Sequence, residues 1–155
     1  MKVYFLYLTT AFFNFWIIAF YLGFSAGFAS YIPVFALLGV FLLFLSTSII
    51  IYFQRTGLFL GLISCLIIVP YGINILLGII EDGVFNLGIL LALPFLLVLL
   101  TSYISFTHLR KYDEIKLPIN NILNIVLALI PILLIILYFS FYGKYWSVNE
   151  FIIHK

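Results

Sequence analysis

Five long apolar runs fill most of the chain, and none has Asp, Glu, Lys or Arg in its interior. The first runs from about Val3 to Leu22, the second from Pro33 to Phe53 and the third from Leu58 to Ile80. The fourth runs from about Val84 to Leu109 and the fifth from Pro118 to Tyr142, leaving a tail over 143–155. A helix needs about 20 residues to cross a bilayer, and every run reaches that length. Backbone N–H and C=O groups in hydrocarbon must be satisfied within the segment, so each run is read as an α-helix. A transmembrane β-barrel would instead show runs of about ten residues with alternating polarity. The expected fold is all-α, a polytopic integral membrane bundle of five transmembrane helices in one domain.

The breaks have local causes. Pro33 suits the first turn of a helix, where its missing N–H is harmless. Gln54-Arg55-Thr56-Gly57 and Glu81-Asp82-Gly83 read as tight polar turns that make their flanking helices antiparallel neighbours. Leu117-Pro118 opens the fifth helix. The first helix is the ambiguous one. A continuous helix to Ser30 would be about 42 Å long and would need strong tilt. The preferred reading ends it near Leu22, with a short uncharged connection to Pro33. If that helix is instead read as a cleaved signal peptide ending near Ala26, four spanning helices remain.

Composition points the same way. The 155 residues are 66% hydrophobic and 8% charged, with a mean hydropathy of +1.34. Soluble domains carry roughly 25% charged residues, so this chain lacks a water-facing surface. A net charge of +2 gives no reason to expect a nucleic-acid partner. The single cysteine, Cys65, rules out an internal disulfide and a multi-cysteine metal site.

Charge sets the threading. Five passes put Lys2, Arg55, Arg110, Lys111 and Lys116 on one side, and Lys144, Lys155, Glu81 and Asp82 on the other. Lys and Arg gather on the cytoplasmic side, which places the N-terminus in the cytoplasm and the C-terminus outside. The expected home is a bacterial inner (plasma) membrane or an organelle inner membrane. Tyr138, Phe139, Phe141, Tyr142, Tyr145 and Trp146 read as an interfacial belt at the outer end of the fifth helix, with Tyr4, Tyr52 and Tyr112 near the inner face.

Candidate chemistry is sparse. No midplane carries a charged side chain, which argues against an ion-coupled pump. Thr10 and Asn14 share a helix face, four residues apart, and Ser46, Thr47, Ser48, Ser64, Thr101, Ser102, Ser105, Thr107 and Asn124 are further buried polar candidates. Pro70 deprives the Leu66 carbonyl of its helical donor and kinks the third helix. Tyr71 and Asn74 lie beside that kink, so Tyr71, Asn74, Thr10 and Asn14 form the candidate binding cavity. Small residues recur at spacing four, as Ala19-Gly23-Gly27 and Gly57-Gly61-Cys65, and suit close helix packing. Arg110, Lys111 and Lys116 form a basic loop suited to anionic headgroups, with His108, Asp113 and Glu114 beside them. Glu81, Asp82, Glu150 and His154 show no metal-ligand spacing. No nucleotide-binding, zinc or redox motif is present, and no catalytic residue, metal or cofactor is expected.

Three functions stay in play. The first is a non-enzymatic membrane component that binds another membrane protein, as a subunit, assembly or immunity-type partner, or pairs with itself. The second is a passive channel or uncoupled carrier lined by Thr10, Asn14, Tyr71, Asn74 and the Ser and Thr hydroxyls of the fourth helix. The third is a lipid-modifying enzyme using His108 with Asp113 or Glu114 at the inner leaflet.

Overall fold

The structure is a computed structural model that describes residues 1–24, 31–82, 85–111 and 120–142, with side chains for 1–19, 32–81, 92–111 and 120–141. It contains α1 (Lys2–Phe24), α2 (Tyr31–Ile49), α3 (Gln54–Asp82), α4 (Phe85–Lys111) and α5 (Asn121–Tyr142), and no strand among the described residues. All five helices are long and apolar enough to cross a membrane. The expectations at Lys116, Pro118 and the tail 143–155 lie outside the described residues.

Two boundaries differ from expectation for physical reasons. The second helix stops at Ile49, and apolar Ile50–Phe53 make the reversal. Gln54-Arg55-Thr56-Gly57, expected as the turn, instead forms the first turn of α3. The N–H groups of Tyr52 and Phe53 both donate to the Ile49 carbonyl, at 3.1 and 2.8 Å, which closes the reversal in few residues. Gly57 makes that closure possible, since a Cβ there would lie 2.6 Å from the Ile50 Cα. The fifth helix begins at Asn121, and the Asn120 side chain caps it by accepting from the Ile122 N–H at 3.1 Å.

The helices thread up and down. On α2 and α3, Ser46 meets Gly57 while Gly39 lies against Ile68, so the pair is antiparallel. Gly72 of α3 lies against the Phe95 ring of α4, in the half of α3 away from its start. On α1 and α4, Tyr7 meets Ser105, Thr10 meets Thr101 and Asn14 meets Pro94, again antiparallel. Helices α1 to α4 therefore close a ring in which each packs on two neighbours.

The last helix lies against that ring along α1 and α2. Its Leu127 carbonyl accepts from the Tyr4 hydroxyl at 2.6 Å, and its Tyr138 ring meets Phe15 at 4.5 Å, so α5 runs parallel to α1. Ser48 donates to the Ala128 carbonyl at 2.8 Å, and Phe41 stacks on Phe139. The buried centre comprises Tyr4, Tyr7, Phe15, Val40, Leu43, Phe44, Ile68 and Val98, with others. The described basic residues Lys2, Arg55, Arg110 and Lys111 all sit at the end where α1 begins, and Glu81 and Asp82 sit at the other.

Candidate functional site

The most concentrated polar feature is a seam between α1 and α4. Tyr7, Thr10 and Asn14 are spaced three and four apart, so they stack on one face of α1. Ser105, Thr101 and Pro94 answer them at spacings of four and seven on α4. The Tyr7 hydroxyl hydrogen-bonds Ser105 Oγ, and Thr10 Oγ1 lies 2.8 Å from Thr101 Oγ1. Asn14 Nδ2 donates to the Thr10 carbonyl at 2.8 Å and to the Pro94 carbonyl at 3.1 Å. All five of these polar side chains are buried.

Counting protons assigns the donors. Ser105 donates to the Thr101 carbonyl at 2.5 Å, so in its bond with Tyr7 the phenol donates. Thr10 donates to the Leu6 carbonyl at 2.7 Å, so Thr101 donates to Thr10. A hydroxyl carries one proton and an amide nitrogen two, and every one of them is committed here. The seam's six donors are therefore all committed, three across to the facing helix and three to carbonyls of their own helix, with none left for a ligand.

The polar triplet of α2 is spent similarly. Ser46 donates to the Gly57 carbonyl of α3 at 2.6 Å, Thr47 to Leu43 within its own helix at 2.7 Å, and Ser48 to α5. Three consecutive residues thus serve three different helices, because successive positions are turned about 100° apart around the axis. Ser64 likewise bonds back to the Leu60 carbonyl at 2.7 Å.

The four candidate cavity residues do not form one group. Thr10 and Asn14 belong to the seam. Tyr71 is buried on α3, beside the Gly72–Phe95 contact and so near the level of Pro94. Asn74 is exposed on the outer face of α3. Pro70 is exposed as well, so the shared face of Pro70 and Asn74 points away from the bundle centre. The Gly57-Gly61-Cys65 stripe packs within the chain: Gly61 lies under the Tyr7 ring and Cys65 is fully buried. Gly23 and Gly27 of the other stripe lie outside the residues with described side chains.

At the basic end, Arg110 and Lys111 are exposed in the last turn of α4. Three buried polar atoms have no hydrogen-bond partner among the described residues: Ser102 Oγ, His108 Nδ1 and Asn124 Oδ1. No group of three His, Cys, Asp or Glu side chains is placed to hold a metal among the described residues. Sequence reasoning missed Tyr7 as a seam member. The available signal was its position, three before Thr10 and seven before Asn14.

Comparison with known protein families, with curated proteins and with solved structures finds no match for this chain.

Proposed function

We propose that the chain is a small integral membrane protein that acts by binding another membrane protein rather than by catalysis or transport. One observation carries this reading. The donors of the α1–α4 seam are all committed within the chain, while every helix turns large apolar side chains outward. Trp16, Phe35, Phe59, Tyr103, Phe106 and Phe141 are all more than half exposed. Soluble monomers rarely leave contiguous apolar patches beyond a few hundred Å², so lipid or protein covers these faces. Helix surface is then what the molecule has to offer a partner.

The charge distribution supports a cytoplasmic N-terminus. Lys2, Arg55, Arg110 and Lys111 lie at one end of the bundle, and the acidic pair at the other, as positive-inside threading requires. The channel reading has less behind it, because the seam presents no uncommitted donors and Asn74 stands outside it.

Co-purification after extraction in a mild detergent tests the proposal. A stoichiometric second membrane protein, or a stable assembly of this chain, is the expected outcome. A lone monomer across several mild detergents, with no companion in pull-downs, would overturn it.

A further inference from the structure

We propose that the outer face of α3, centred on Asn74, docks against the same face of a second copy of this chain, with the two Asn74 amides hydrogen-bonded across a two-fold axis. This deepens the membrane-partner reading above and rests on it.

The amide is in the wrong place for a lone bundle. Asn74 lies six residues beyond the midpoint of α3 (Gln54–Asp82), or roughly 9 Å along the axis. The hydrocarbon core extends roughly 15 Å either side of the midplane, so the side chain sits within it. An Asn side chain is too short to reach the headgroups. It is exposed, and no described residue hydrogen-bonds it. Two other outward polar side chains avoid this problem by bonding their own helix: Thr9 donates to the Phe5 carbonyl and Ser140 to the Ile136 carbonyl. Lipid tails offer no partner, so an unpaired amide there favours contact with protein.

The surroundings suit a helix partner. Gly78 lies one turn further along the same face, and a Cβ added there would meet nothing within 4 Å. That leaves a notch into which a neighbouring helix can settle. Pro70, one turn back, provides no N–H for the Leu66 carbonyl, which is left with spare acceptor capacity. Ile73 and Leu77 beside the amide, and Leu66 two turns back, are exposed and supply apolar contact.

A second copy meets these needs without further adjustment. A primary amide both donates and accepts, so two of them are mutually complementary. Copies inserted in the same direction carry Asn74 at the same depth. A two-fold axis along the membrane normal then brings the two amides face to face, the isologous geometry most homodimers use.

Oxidative cross-linking in native membranes tests this. Asn74→Cys should form a covalent dimer at least about tenfold faster than Leu96→Cys, which sits on the outward face of α4. The unsubstituted chain, whose sole thiol at Cys65 is buried, should stay monomeric. Asn74→Cys cross-linking no faster than Leu96→Cys, or cross-linking instead to a different protein, would overturn the proposal. A second measurement guards against a disturbed fold. In liposomes, single-molecule photobleaching should show Asn74→Leu lowering self-association roughly eightfold, as expected for two lost interhelical bonds of average strength, and Asn74→Gln retaining most of it. Equal association of the Leu variant and the parent would overturn the proposal. A chain that alkaline carbonate strips from membranes removes the membrane reading as well; one that resists carbonate but fails these tests removes only the dimer.

Discussion

At the scale of single residues, space and hydrogen bonds make separable contributions to the ring. Gly61 lies so close to the Tyr7 ring that any Cβ must displace it. Gly61→Val should therefore cost about 1–3 kcal/mol, the usual range for an overpacked core. Thr101→Val keeps the shape and removes one interhelical hydrogen bond, at about 0.6 kcal/mol. Reversible unfolding of the purified protein in mixed micelles should rank the two in that order, and the reverse ranking would place hydrogen bonding above packing. The seam was only half legible in the sequence. The four-residue spacing of Thr10 and Asn14 gave their shared face. Their partners were hidden, because Thr101, Ser102 and Ser105 are near-equivalent as hydroxyls, and only the rotation of α4 selects two of them. Tyr7 was hidden too, since a tyrosine near a helix end also suits a membrane interface. Asn74 was read as inward because the direction of the Pro70 face is set by packing, which spacing alone does not record.

At the scale of elements, the ends of the helices were harder to read than their existence. Twenty apolar residues in a row announce a helix, but the reversal after α2 runs through Ile50–Phe53, residues as apolar as the helix before them. Gly57 and the hydrogen bonds to Ile49 decide it, and both are tertiary facts. The fifth helix stands apart in another way. Only 11% of its spanning residues are buried, against 56% for α2. Its hold on the bundle depends on a few contacts, among them the Phe15 ring against Tyr138 and the Phe41 ring against Phe139. Phe15→Ala should destabilise the protein by about 3 kcal/mol. Phe13→Ala, on the outward face of the same helix, should change stability by less than about 0.5 kcal/mol. Equal effects in the same unfolding assay would mean that α5 is held by contacts other than these.

At the scale of the whole molecule, five helices long and apolar enough to span a membrane were legible from composition, and α1 and α5 run parallel. Single thiols introduced at Gln54 and at Glu81, at opposite ends of α3, should react with impermeant maleimide from opposite sides, with Gln54→Cys protected in intact cells and Glu81→Cys accessible. Labelling of both from one side would undo the threading. The seam also constrains how the molecule is made. The pairs Tyr7–Ser105, Thr10–Thr101 and Asn14–Pro94 are separated by 98, 91 and 80 positions in the chain. At a synthesis rate of about 5–20 residues per second, α1 emerges from the ribosome roughly 4–20 s before its mates. Through that interval the Tyr7 hydroxyl and one Asn14 N–H lack their α4 partners, while Thr10 keeps its bond to the Leu6 carbonyl, so the newborn first helix depends on water or another protein to satisfy two donors until α4 arrives.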